Sequence, residues 1–330
     1  MSKPLCIDHD NYFSTPEFVI TASHYLTSIA LPITLFGSYC ILFKTPSQLN
    51  SVKWLMLNLH IWCGLTDILM SFLGVPYLLL PSMSGYALGL IDCPGLFVYL
   101  LVTLLAGCAA GVVLIYENRY NQMFGHVTSW RKFRVLFIVS IYTVVPFIFI
   151  PPFFYIPDQE KARAYVFDML PCYHQRVIND RKLFVLALDY WLSFICITYG
   201  TVLWTVLIAT FFFLTVVKLW SVQQSLVSKA TINMQKKFTS GVTLQTTFMF
   251  IIMLSPISVC IYMTFGFIHN QAVSNIAILI IQLHGVGNTL VMISVHKPYR
   301  TFIVSSVSFC RSKRNDVKPH KNSQHCSVLL

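Results

Sequence analysis

Apolar residues fall in seven long runs, with the polar residues gathered between them. The runs cover roughly 18–43, 54–80, 95–116, 135–156, 190–217, 242–268 and 274–295. Each is long enough for a helix to cross the ~30 Å of bilayer hydrocarbon. Prolines stand within several of them (Pro32, Pro76, Pro146, Pro256). Membrane helices tolerate these where neighbours or water satisfy the freed carbonyl. The third run carries no charge from Gly95 to Tyr116 and closes on a polar quartet, Glu117, Asn118, Arg119 and Tyr120. Gly107 and Gly111 lie four apart in it, among Ala106, Cys108, Ala109 and Ala110. Small side chains let neighbouring backbones approach closely, so this run is expected to be the central helix of a bundle.

The segments between the runs set the orientation. Lysines and arginines number two in 44–53, four in 117–134, four in 218–241 and seven in 296–330. The alternate segments hold one before residue 18, none in 81–94, five in 157–189 and none in 269–273. Seventeen against six predicts an external N-terminus over 1–17, a membrane domain over 18–295 and a cytoplasmic tail over 296–330.

Composition sharpens this picture. Charged residues make up 11% and hydrophobic ones 56%, too few charges to solvate a soluble surface, where ~25% is usual. The net charge of +11 follows the loop asymmetry, so no nucleic-acid partner is expected. Residues 1–17 contain Asp8, His9, Asp10 and Glu17 rather than a basic start and a short apolar core. The first run is therefore expected to stay as an anchor.

Few residues could carry chemistry. Asp67 is the carboxylate well inside the second run, and His60 lies on the same face of that helix. His284 and Asn288 form an i, i+4 pair in the seventh run. These four are expected to form an intramembrane polar network, either functional or simply structural glue. Glu117 and Arg119 sit where the third span leaves the membrane, where an arginine can exchange partners between two states. Cys93 tops the third span and Cys172 lies in the longest outer segment. A disulfide between them would pin that segment over the bundle mouth, the alternative being two free thiols. In the tail, TFIVSSVSFC between basic residues suits a helix lying along the inner leaflet, with Cys310 placed for palmitoylation.

Absences narrow the function. Paired intramembrane acids, metal-ligand spacings and nucleophile elbows do not occur, so no enzyme, cofactor or metal is expected. The seventh run holds no lysine for a retinal Schiff base. Neither internal repeats nor a filter-like motif recommends the alternative, a ligand-gated channel or transporter of the plasma membrane.

Several short motifs, in order, resemble one family. They are KTP at Lys44–Pro46, VKWLMLNLH at Val52–His60, Asp67, and PYLLLPSMSGYALGL at Pro76–Leu90. YENRY at Tyr116–Tyr120, LPC at Leu170–Cys172, HG at His284–Gly285 and HKPYR at His296–Arg300 complete the set. Together they resemble the nematode serpentine receptors of class H (Srh), a pattern much of which sister class I shares.

That resemblance implies an all-α, seven-transmembrane chemoreceptor that binds an external small molecule. It would activate a heterotrimeric G protein at the plasma membrane, in the cilium of a sensory neuron. It makes Glu117, Asn118, Arg119 and Tyr120 the counterpart of the acid-Arg-Tyr switch of rhodopsin-like receptors, with Asn118 as an insertion between acid and arginine. By depth alone, Tyr99, Thr103, Tyr199 and Tyr262 are expected to line the ligand pocket.

Overall fold

The computed structural model describes residues 5–6, 11–46, 50–124, 129–170, 182–221 and 229–305. Seven helical stretches are long and apolar enough to span a membrane: Pro16–Lys44, Val52–Leu73, Pro94–Gln122, Trp130–Tyr155, Trp191–Val217, Gln235–Phe265 and Gln271–Val295. The first is α1 (Pro16–Lys44), started by Pro16 in its first turn and by the Thr15 hydroxyl, which accepts from the Phe18 amide at 3.2 Å. The second is α2 (Asn50–Ile68), prolonged by a π turn over Leu69–Leu73. α3 (Pro94–Phe124) and α4 (Trp130–Phe147) form the third and fourth spans. A short α5 (Gln159–Met169) precedes α6 (Trp191–Ser221) and α7 (Lys229–Phe265), the fifth and sixth. The seventh is broken at Leu283 into α8 (Gln271–Gln282) and α9 (His284–Val295), and residues 297–305 are again helical.

The second span ends at Leu73, not near residue 80. Pro76 lacks an amide hydrogen, and a residue before proline is pushed out of the α region. The apolar chain beyond it folds as strands instead. With β1 (Leu5–Cys6) preceding them, β2 (Pro76–Leu78), β3 (Met83–Ala87) and β4 (Phe184–Ala187) form an antiparallel sheet in that order. The free side of β4 is covered by Gln159, whose amide donates to Val185 O and accepts from Val185 N, both at 3.0 Å. One side chain thereby replaces a missing strand. β5 (Ile268–His269) pairs in parallel with β1. This sheet end is laced to the seventh span: Gln271 Nε2 donates to Leu78 O at 3.0 Å, and Asn275 Nδ2 to Phe13 O at 2.8 Å.

The second, third and seventh spans are the interior ones, each at least half buried. α3 is the central post: Ala106, Cys108 and Ala110 through Tyr116 all lie within the main core cluster or against it. Its glycines explain the approach of α2. A Cβ at Gly107 would stand 2.4 Å from the Trp62 indole, and one at Gly111 3.2 Å from Leu59. Lipid tails are as apolar as leucine, so such close packing and buried polar contacts hold the helices together. The outer faces carry exposed apolar side chains such as Val135, Leu136, Phe213 and Ile251. That surface is suited to hydrocarbon and not to water.

Candidate functional site

Two buried polar clusters lie along α3. The first sits where the seventh span breaks. The interruption at Leu283 leaves the first amides of α9 without helical partners, and Asp67 answers them. Its Oδ1 accepts from Gly285 N at 3.2 Å and stands 3.1 Å from His284 Nδ1, which also lies 3.0 Å from Ile281 O. Asn288 Nδ2 reaches Cys63 Sγ at 3.8 Å, and Thr66 Oγ1 lies 3.7 Å from Cys108 Sγ. His60 donates from Nε2 to Thr34 O at 2.8 Å, tying α2 to α1, and its Nδ1 stands 3.5 Å from Thr289 Oγ1. The structure thus brings Asp67, His284 and Asn288 together, with His60 a turn or two further along. Every one of these four is buried. Gln282 adds a further tie, donating to Met70 O at 3.0 Å within the π turn of the second span.

The second cluster lies near the C-terminal end of α3. Glu117 and Arg119 do not pair with each other. Glu117 is bound by the fourth span: Arg134 Nε donates to both its oxygens, at 2.9 and 3.1 Å, and Trp130 Nε1 donates at 2.8 Å. Asn118 joins the same group, accepting from Arg134 Nη2 at 2.9 Å. The residue between acid and arginine therefore enlarges the acid's side of the partition. Tyr120 packs edge-on against Trp130 and beside Phe211.

Arg119 turns the other way, toward the sixth span. Its Nη1 donates to Gln235 Oε1 at 2.7 Å, and its guanidinium lies 3.6 Å from the centre of the Phe238 ring. It is only 1% exposed, yet Nε and Nη2 have no hydrogen-bond partner. A buried cation with two unused donors is costly, and the Phe238 face offsets only part of that cost. The Phe238 ring also meets His296 at 5.1 Å, and His296 meets Tyr299 at 5.9 Å. Tyr299 OH lies 2.8 Å from Thr45 Oγ1, so the KTP and HKPYR motifs meet here.

His296, just past the seventh span, has its pKa pushed down to about 4, first by burial and then by the neighbouring Arg119 charge. The neutral ring is the one that fits. As pH falls below the ordinary histidine value of ~6.5 toward 4, this packed arrangement should lose up to about 1.4 kcal/mol per pH unit. Thermal unfolding of the purified receptor at pH 7 and pH 5 checks this. The wild type should lose more stability on acidification than His296→Gln; equal losses would exclude His296 as the titrating group.

Comparison with known proteins agrees with this architecture. The family model described as serpentine type 7TM GPCR chemoreceptor Srh matches residues 14–309. The chain belongs to the Srh family. Serpentine receptor class H-72 of Caenorhabditis elegans is 25% identical over 334 residues, covering 98% of this chain and 95% of that one. The crystal structure of squid rhodopsin superposes with a TM-score of 0.56 over 98% of both chains at 12% identity, which shows a shared fold. This Srh protein is therefore a multi-pass membrane receptor of the chemosensory G-protein-coupled class, not an enzyme.

The pocket residues expected from depth do not converge in this Srh receptor. Tyr199 and Tyr262 are 64% and 68% exposed on the lipid-facing surface. Tyr99 OH donates to Pro146 O at 3.2 Å and its ring packs edge-on against Phe153, while Thr103 is half-buried. Depth places a residue along a helix but not around it. A cavity of about 430 Å³ lies instead at the sheet end, lined by Ser82, Met83, Tyr165, Ala187, Asp189 and Tyr190 among others. Cys93 is exposed just before α3, while Cys172 and Cys310 lie outside the described residues.

Proposed function

We propose that this receptor takes its ligand in the sheet-end cavity and passes the signal to a heterotrimeric G protein at the Arg119 end. The sheet end then faces outside and residues 297–305 lie in the cytosol, as the loop charges favour. A cavity of about 430 Å³ is within the usual range for a small-molecule site. Its lining is mostly apolar, with hydroxyls and one carboxylate, Asp189. It suits a small apolar molecule that carries a hydrogen-bond donor. β4, α5, the Asp189–Tyr190 lead-in to α6 and Thr264 near the end of α7 bound the cavity, so its occupant could bias the fifth and sixth spans. A Cys93–Cys172 bridge would pin the outer segment over the bundle mouth, and palmitoylation at Cys310 would fasten the tail. Delivery to a sensory-neuron cilium belongs to this reading.

The observation that carries it is the half-satisfied Arg119, tied to the sixth span by Gln235. A state that costs energy at one point is easily displaced by a ligand that binds another state better. Calcium imaging in a sensory neuron misexpressing the chain, across volatile and soluble odorants, tests the proposal. Ala187→Trp fills the cavity and should weaken sensitivity to an identified ligand by at least about tenfold, the loss of ~1.4 kcal/mol of binding, with surface delivery intact. Responses that persist under G-protein blockade would point to a channel instead.

A further inference from the structure

The first polar cluster holds more than a hydrogen-bond network. Cys63 of α2, Cys108 of α3 and His284 at the start of α9 are 1%, 1% and 0% exposed. One ligand atom from each lies within 4.8 Å of the other two. Around them, His284 Nε2, Asp67 Oδ2 and Asn288 Oδ1 are all buried without a hydrogen-bond partner. The Gly285 amide, His284 Nδ1 and Asn288 Nδ2 are already engaged, so weakly donating thiols, with Cys108 beside His284, are the donors left for these acceptors. Buried acceptors left in this way are expensive, and a cation would satisfy several at once.

We propose that Cys63, Cys108 and His284 bind one thiophilic d10 cation, Zn²⁺ or Cu⁺, inside the membrane bundle. The histidine is prepared for it. Nδ1 faces Ile281 O and the Asp67 carboxylate, so its proton is fixed on that side and Nε2 carries the free lone pair. A carboxylate behind a histidine that ligates through its other nitrogen is a common support for bound zinc. Two sulfurs and an imidazole select a soft or borderline ion over a hard one, which prefers oxygen ligands. Tetrahedral zinc places such ligands about 3.3–3.8 Å apart, so side-chain motions of about 1 Å would close the site. Asp67 stays behind the histidine, and the Asn288 amide, already 3.8 Å from Cys63 Sγ through its nitrogen, is placed to turn its Oδ1 to the ion as a fourth ligand. Binding of Zn²⁺ replaces both thiol protons, releasing two H⁺ and leaving a neutral Zn(Cys)₂ unit. The ion would bind the second, third and seventh spans to one another at their most buried level.

Among the motifs in the chain these residues carry no metal signature, since each comes from a different helix. The expectation of no metal site rested on ligand spacing along the chain, which does not register side chains brought together from different helices.

The test uses the full-length receptor in detergent, with exposed thiols blocked by an impermeant maleimide and metal removed by a chelator. After reloading with Zn²⁺ or Cu⁺ and gel filtration, about one ion per chain should remain bound. Co²⁺ in place of Zn²⁺ should give sulfur-to-metal charge-transfer bands and tetrahedral visible bands. Cys63→Ser, Cys108→Ser and His284→Asn should each abolish retention. Asp67→Asn should weaken it by roughly 10–100-fold. Cys40→Ser and Cys260→Ser should leave it unchanged. Retention unaffected by the first three variants, cobalt without sulfur bands, or an intact mass showing a Cys63–Cys108 disulfide would overturn the proposal. Should those variants fail to fold, the cobalt spectrum of the wild type decides alone. None of these readouts depends on G-protein coupling, so the site and the signalling reading can fail separately.

Discussion

Arg119→Ala should abolish ligand-driven signalling while the receptor still reaches the plasma membrane. The expectation follows from what Arg119 lacks as much as from what it has. In the structure its guanidinium makes a short bond to Gln235 and a longer one, 3.4 Å, to Gln122, and it stacks on Phe238. Two of its nitrogens remain idle in a buried setting. If the sixth span moves away, the bond to Gln235 breaks and its donor joins the idle Nε and Nη2 in reach of a cytosolic partner. A charge-assisted hydrogen bond is worth about 1.5–3 kcal/mol. Loss of two or three to the partner would then lower coupling by at least about a hundredfold.

Gln235→Leu separates this role from that of a simple clamp. It removes the tether but keeps the arginine, so ligand-independent signalling should rise by roughly ten- to a hundredfold. Both variants are read in one calcium-imaging assay against surface labelling. A rise in basal activity for Arg119→Ala as well would mean that the residue only restrains. Retained ligand responses with normal basal activity would remove it from the switch.

Glu117 has no share in that exchange. In a simple ionic lock the acid would neutralise the neighbouring arginine. Here the acid is bound on three sides by Arg134 and Trp130, with Asn118 drawn to the same arginine. α3 is thereby stapled to α4 and tethered to α7 by adjacent but independent contacts. The fourth span can stay fixed while the sixth moves.

Much of this was readable before any fold was seen, for reasons that differ from one residue to the next. The seven spans were visible because hydrocarbon thickness imposes a length on every apolar run. α3 declared itself central through Gly107 and Gly111, which sit against Trp62 and Leu59 as their size suggests. Asp67 and His284 stood out because charge and imidazole are rare at membrane depth. Cys63 and Cys108 look like ordinary small apolar residues in sequence, and only the packing of α2 on α3 makes them neighbours. Arg134 read as one more topology-setting charge, and Gln235 as part of a loop, since the sixth helix begins at Lys229 well before its apolar stretch. Apolar content hid the hairpin of β2 and β3, whose prolines were the better guide. Tyr199 and Tyr262 lie on exposed faces because depth carries no azimuth: a residue's level was clear, but which way its helix turned was not.

The largest effect on stability should come from a single methyl group at Gly285. An added Cβ there would lie 2.2 Å from Asp67 Oδ2, 2.7 Å from its Cγ and 2.8 Å from Oδ1. Asp67 is a short side chain held by the Gly285 amide and by His284, so it cannot swing aside and keep its partners. Gly285→Ala therefore combines overpacking, about 1–3 kcal/mol, with displacement of a buried carboxylate from the donors that hold it. A total loss of roughly 3–5 kcal/mol is expected, enough to empty the cell surface of most receptor. Thermal unfolding in detergent and surface labelling measure it. Asp67→Ala alone should also destabilise, since it strands the first amides of α9. The double variant decides the cause. If the clash is the mechanism, Asp67→Ala makes room for the methyl group, and the combined loss falls short of the sum by about 1–3 kcal/mol. Strict additivity would mean that the methyl group acts elsewhere, on the helix break at Leu283 rather than on the carboxylate packed against it.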